Sequence, residues 1–418
     1  MNTNKYISND KATKIRGNIA VFGIILLLFV YIGRIQELFP RIYGLSFGKI
    51  TMGLALCLYL MAPQPKSKLK ILSAPQVKYI VGILLLGVIS IPFSVWPGRS
   101  FNFIVYEYSK LLIFFFLLVL SVNTSKDLKK INWGLIFSLV VMVVMAVKSE
   151  ITPEMRGRLT VSLAYDANDI ALVLTVSAPI VYFLMNQEKG IKKIGLFMLL
   201  ASMLYIIIKT GSRGGFVGLI ATALLILVKD KNTRAKKYII FGILAVIFIC
   251  FASPTYWERI STIFSESDYN VAGEGGRVDI WKKGVIMMLN KPFTGVGAGA
   301  FVTAEGLGLG GMARKWSAAH NSFIQMGGEL GLGGLILFVA LFISSLKSLK
   351  QMKLAAKDMD MEENLWLINA LGVSFYSFMV TGFFLSQAYS SLLYFLIANC
   401  IILKKLAINR SMNRIHTG

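Results

Sequence analysis

Histidine is nearly missing from this chain: two residues in 418, His320 and His416, the second in the C-terminal tail. Cysteine is almost as scarce. The three present, Cys57, Cys250 and Cys400, all fall inside apolar runs, which argues against a disulfide framework and against a metal-thiolate site. Acidic residues are also thin, 21 against 44 lysines and arginines. Apolar residues fill the space these absences leave. Hydrophobic residues make up 56% of the chain and mean hydropathy is +0.66, more than a soluble domain hides in its core, so the chain is expected in a bilayer.

Apolar runs of spanning length begin after a polar N-terminal tail and are separated by short lysine-rich links. Twelve are counted, near 18–35, 44–62, 76–94, 102–122, 131–148, 169–186, 193–209, 213–228, 237–253, 320–346, 365–386 and 388–403, the tenth opening as either a span or an interfacial helix. The first is too long for a signal h-region and lacks a clear cleavage site, so it reads as a retained anchor. The expected fold is an all-α polytopic membrane protein: residues 1–253 hold nine spans, 254–319 a large, partly helical loop, and 320–418 the last three spans and a tail.

The net charge of +23 alternates from link to link, the pattern of membrane topology and not of a nucleic-acid groove. The N-terminal tail, every second link and the C-terminal tail carry 27 basic residues against eight acids, a surplus of 19. By the positive-inside rule that face is cytoplasmic and holds both termini. The opposite face has few cations, and most sit in two places, the link carrying Arg156 and Arg158 and the 254–319 loop, whose Trp257, Trp281 and Trp316 argue for folded structure.

Four constellations stand on that outer face. In "KTGSRGG", Lys209–Gly215, Arg213 is either a snorkelling arginine beside a tight turn or a bidentate phosphate ligand at headgroup depth, with glycines that let backbone approach a ligand. In "EGGRVDIWKKG", Glu274–Gly284, Arg277 and Trp281 are four residues apart and share a helical face suited to an anion and a sugar ring, whereas Lys282 and Lys283 read as a solvated face. His320, in "AAHNSF", stands at the rim of the tenth span. It is placed either for proton transfer or as an interfacial histidine beside a helix begun by Asn321 or Ser322. In "RGRLTVSLAYDANDIA", Arg156 and Arg158 add to an anionic site while Asp166, Asn168 and Asp169 cap the sixth span. Other matches are set aside. "GVGAGAF", Gly295–Phe301, lacks a strand-helix-strand context and reads as a flexible turn, and Asp358 and Asp360 of "KDMDMEE" fall on the cytoplasmic side as a solvated helix face.

The span count, the cytoplasmic termini, the large loop before the last spans, "SRGG", Arg-x-x-x-Trp and "HNSF" followed by "GELGLGG" together resemble the O-antigen ligase and Wzy-type polymerase superfamily over nearly the whole chain. The resemblance implies a GT-C-like fold in the bacterial inner membrane. It also implies a metal-independent, cofactor-free inverting glycosyltransferase working on the periplasmic face among membrane lipids. The donor would be an undecaprenyl-diphosphate-linked glycan and the acceptor lipid A-core, or a lipid-linked glycan if the enzyme is a polymerase of O-antigen, capsule or exopolysaccharide repeat units; nucleic acid is not a partner. By motif match, Arg213 and Arg277, with the less clearly matching Arg156 and Arg158, hold the diphosphate. His320 is the catalytic base, and Trp281 contacts the glycan. The rival class is a lipid-linked glycan transporter, for which charged mid-span residues and internal repeats are expected; Lys110 in the fourth span is the main such charge.

Because charge sets the orientation, reporters fused after Lys68, Lys231 and Lys353 should read cytoplasmic and reporters within 254–318 external. A cytoplasmic signal from the large loop would reverse the side assigned to Arg277 and His320.

Overall fold

The computed structural model describes residues 19–39, 46–62, 73–148, 165–230, 276–311, 315–356 and 361–417, with the single positions 242 and 246. The helices are α1 (Ile19–Tyr31), α2 (Phe47–Met61), α3 (Pro75–Ser90), α4 (Pro97–Ser121), α5 (Ser125–Lys148), α6 (Ala167–Met185), α7 (Gly190–Thr210), α8 (Arg213–Lys229), α9 (Arg277–Asn290), α10 (Phe301–Gly306), α11 (Ser322–Leu354), α12 (Leu365–Gly382) and α13 (Ser391–Thr417). Among the described residues there is no strand. Seven helices, α4 to α7 and α11 to α13, are long and apolar enough to cross a membrane, and α1, α2 and α3 are shorter apolar helices. Eleven of the twelve expected spans coincide with these helices and α8; the run at 237–253 lies outside the described residues, apart from positions 242 and 246.

The central pillar is α6, apolar all round and buried at every position but Asp169. A helix with no polar face must be enclosed, and α7, α8 and α12 enclose it. Its first turn is fastened by a capping box: Asp166 accepts hydrogen bonds from the Asn168 and Asp169 amides (2.7 and 2.8 Å), and Asp169 accepts one from the Asp166 amide (3.3 Å). Lipid supplies no hydrophobic drive between helices, so close approach of small residues does the packing. The Gly214-x-x-x-Gly218 face of α8 supplies it. A Cβ at Gly214 would meet Phe384 at 2.9 Å and one at Gly215 would meet Ala171 at 2.6 Å, and Gly218 lies directly against Thr381. The space beside these glycines is thus taken by Phe384, α6 and α12, which corrects the expectation of backbone approach to a ligand at Gly214 and Gly215.

α11 is interrupted at Gly331 (φ 70°, ψ −167°), so the tenth span does begin as a separate short helix. Breaking a helix frees carbonyls before the break and amides after it, and in an apolar setting each needs a partner. Residues 292–297 provide them. The Val296 and Gly297 amides donate to the Gly328 and Glu329 carbonyls (2.8 and 3.0 Å), and the Leu332 amide donates to the Pro292 carbonyl (2.8 Å). Gly295, Gly297 and Gly299 all have positive φ, and Val296, Ala298 and Ala300 are buried. The "GVGAGAF" segment is thus a packed plug and not the flexible turn expected. The expectation failed because the partners of the segment lie more than thirty residues away and leave no local signal.

Links that the charge pattern assigns to one face do meet one another: Lys129 pairs with Glu188 (2.7 Å), Arg410 with Glu363, and Asn364 with Ser125 (3.1 Å). Asp358 and Asp360 lie outside the described residues.

Gly218→Val should lower the melting temperature of the detergent-solubilised protein, at a cost of about 1–3 kcal/mol, because the α8–α12 contact has no room for side-chain atoms. Gly195→Val, on α7 with open space around it, is the control and should leave the melting temperature nearly unchanged.

Candidate active site

His320 lies between the irregular 315–319 segment and the first turn of α11, in a left-handed conformation (φ 48°). Asn321, 1% exposed, caps α11 by accepting from the Phe323 and Ile324 amides (2.9 and 3.1 Å), as one of the two sequence readings expected. The cap does not occupy the imidazole. Ser322 holds the same turn to the loop between α12 and α13, donating to the Leu385 carbonyl (2.6 Å) and accepting from the Gln387 amide (2.9 Å). The Gln387 side chain donates in turn to Asp169 (2.6 Å), which ties His320's turn to the cap of α6.

The electrostatic surroundings of His320 come from three directions. Burial disfavours the imidazolium, the Arg277 guanidinium lowers the pKa further, and Asp166 opposes both, for a net shift below the ordinary histidine value. A half-buried imidazole whose pKa is lowered by burial and by a nearby cation can accept a proton as the neutral base.

Arg277 is the first residue of α9, after Gly276 as N-cap, so the Gly-Gly start is as expected. One turn on, the Trp281 ring packs edge to face on Phe383 (5.1 Å between centroids) and tilted on Phe384 (6.4 Å). Phe384 is the residue against which Gly214 rests, next to Arg213 at the start of α8. A short aromatic bridge therefore joins the turn of Arg213 to the helix of Arg277, whose charge acts on His320. Ser212 fixes the start of α8 by accepting from the Gly215 amide (3.1 Å). The structure thus gathers Arg213, Arg277, Trp281 and His320 at one end of the helical bundle. Trp281 Nε1 is buried without a hydrogen-bond partner among the described residues. Arg156 and Arg158 lie outside the described residues.

One sequence reading is corrected here. Lys283 is not on a solvated face: it is 2% exposed and pairs with Glu305 (2.9 Å) and Asp279 (3.2 Å). Glu305, fully buried on α10, also accepts from the amides of Lys315 (3.0 Å) and Ser317 (3.1 Å). Burial alone would raise its carboxyl, yet Lys283 and those two amides hold it below the ordinary value. The pair pins α9 to the segment that leads into His320. Lys282, next in sequence, is exposed as expected. The sequence reading missed both Glu305 and Gln387; nothing local marks Glu305, and the one available signal for Gln387 was a polar residue in the short break between the last two spans.

These observations define a class: a polytopic helical membrane protein with a half-buried histidine and arginines at one end of the bundle. Residues 196–339, from α7 into α11, match the family described as O-antigen ligase, and this supports the O-antigen ligase/Wzy-type superfamily for the chain. The matched stretch contains Arg213, Arg277, Trp281 and His320. No curated protein matches the chain.

Glu305→Ala would take the fully buried carboxylate away from the buried Lys283 ammonium and should destabilise the α9 region by about 3 kcal/mol, read as a lower melting temperature and faster amide exchange over 277–290. The double variant Lys283→Met, Glu305→Leu should recover most of that loss.

Proposed function

We propose that the chain is an inverting glycosyltransferase of the O-antigen ligase type, moving a glycan from undecaprenyl diphosphate to a hydroxyl of lipid A-core at the periplasmic face of the inner membrane. The observation that carries this reading is the half-buried His320 under the opposing charges of Arg277 and Asp166, with the turn of Arg213 linked to the helix of Arg277 through Phe384 and Trp281. The family match supports the ligase or polymerase class of activity.

In this mechanism the acceptor hydroxyl gives its proton to the neutral imidazole of His320 as its oxygen attacks the anomeric carbon. The bond from that carbon to the phosphate oxygen breaks, its electron pair leaves with undecaprenyl diphosphate, and the imidazolium later loses its proton to water. A single displacement inverts the anomeric configuration. Arg213 and Arg277 take up the charge that grows on the leaving diphosphate, and a planar guanidinium offers two parallel donors to it. Trp281 borders the glycan through its free indole N–H, since its ring is engaged by Phe383 and Phe384. Arg156 and Arg158 remain proposed contributors to the anionic site.

His320→Ala should cut transfer about 100- to 10,000-fold while donor still binds. Alanine at Arg213 or Arg277 should cut it about 100-fold or more, with lysine a poor replacement. The base acts as neutral imidazole, so activity rises with pH through its pKa. Burial and then Arg277 lower that pKa, so the acid limb of the rate profile should lie below about pH 6.5. Arg277→Gln should move the limb upward, and Asp166→Asn, which keeps the helix cap, should move it down. Limbs that stay fixed in both variants would remove His320 as the base. Products made from undecaprenyl-diphosphate-linked repeat units, resolved by size, separate the acceptors: transfer only with lipid A-core supports the ligase, and a ladder of longer lipid-linked chains without it establishes the polymerase.

A further inference from the structure

The turn after α1 carries polar groups that the mechanism above does not use. Tyr31 Oη, Arg34 Nε, Gln36 Oε1 and Glu37 Oε2 are all buried and have no hydrogen-bond partner among the described residues. Buried polar atoms are ordinarily paired, so four unmatched within seven residues mark a place where something else binds. Arg34 is also held in the left-handed region (φ 55°, ψ 34°), as the N-cap of a single 3-10 turn, Ile35–Leu38. The other described non-glycine residues with positive φ are Trp316 and His320 itself. Such conformations persist where surrounding structure imposes them, commonly at binding sites.

The turn adjoins the candidate active site. The Arg34 guanidinium carbon lies 4.9 Å above the Tyr165 ring, and Tyr165 immediately precedes Asp166, which acts on His320. Arg34 is also within electrostatic reach of Asp169, which accepts from Gln387 two residues beyond Leu385, the anchor of Ser322. The polar turn and the His320 turn are therefore fastened to the same cap of α6.

The chemistry of the four atoms selects the ligand. A phosphate would be opposed by the Glu37 carboxylate, and an apolar group would leave all four atoms unmatched. A sugar ring offers hydroxyls that both donate and accept, matching an Arg N–H, a tyrosine hydroxyl, an amide oxygen and a carboxylate oxygen. We propose that the Tyr31–Glu37 turn is a sugar-binding subsite that holds a ring of one of the two glycan substrates beside His320. The subsite rests on the glycosyl-transfer reading for its purpose, and both the donor glycan and the acceptor glycan carry the chemistry it fits.

The test is a binding titration on the full-length protein in detergent, with two lipid-free probes, the repeat-unit oligosaccharide and the core oligosaccharide, followed by steady-state kinetics with the intact lipid-linked substrates. Gln36→Ala and Glu37→Gln should weaken binding of one probe about tenfold and raise KM for the matching substrate similarly, with kcat and melting temperature unchanged. Arg34→Ala should do so more strongly, and if it fails to fold the other two variants carry the test. Weakened repeat-unit binding assigns the donor glycan, and weakened core binding assigns the acceptor. If neither probe binds the wild-type protein, if the variants bind both as the wild type does, or if the loss comes only with a lower melting temperature, the subsite is overturned. Probe binding that is lost in the variants, from a wild-type protein that transfers nothing to either acceptor, would retain the subsite and sink the glycosyl-transfer reading instead.

Discussion

A helix cannot stop inside an apolar slab unless its freed backbone groups find partners, and α11 stops at Gly331. The carbonyls of Gly328 and Glu329 and the amide of Leu332 are matched by residues 292–297, so the break exists only together with that segment. Glu329 completes the joint, its carboxyl accepting from the Gly299 amide (2.9 Å) and the Tyr389 hydroxyl (3.0 Å). The loop joining α9 to α10 and the loop joining α12 to α13 are thereby held against the short first part of α11. That part begins at His320's cap, so the depth of the imidazole depends on a joint nine residues further along.

The same economy governs charge at this end of the bundle. Lys283 is buried and is matched by Glu305 and Asp279, and Arg99 pairs with Glu107 (2.9 Å) while its Nε donates to the Gly299 carbonyl (3.3 Å). These cations hold structure. The Arg277 charge also lowers the pKa of His320. The carboxylate nearest in effect, Asp166, is already engaged by two amides at the cap of α6, which tempers its pull on the imidazole. A neutral His320 therefore follows from burial reinforced by one arginine and only partly offset by a committed carboxylate.

Much of this was legible in the chain because it is periodic or local. Apolar runs of bilayer length gave the helices, the Arg277 and Trp281 spacing gave a shared face, and Asp166 and Asn321 gave their caps, since each signal is complete within a few residues. What could not be read was tertiary. Lys283 looks like any exposed lysine until Glu305, 22 residues away, is placed over it. Gln387 meets Asp169 across 218 residues, and "GVGAGAF" is packed because the broken end of α11 and the residues around the end of α3 pair with it. The candidate site was thus visible as a set of residue types. The scaffold that fixes their positions was not.

The "SRGG" glycines show how the two levels connect. Read alone, they suggest backbone approach to a ligand; in the structure Gly214, Gly215 and Gly218 are filled by Phe384, Ala171 and Thr381. That packing sets how closely α8 lies against α6 and α12, and Arg213 is the first residue of α8. Phe384, which occupies the space beside Gly214, is in turn a platform for Trp281 and hence for the helix of Arg277. Small residues at the start of α8 are therefore linked through Phe384 to the helix that carries Arg277. The glycines of the motif thus set the packing around the start of α8, where Arg213 stands, 64 positions before Arg277 in the chain.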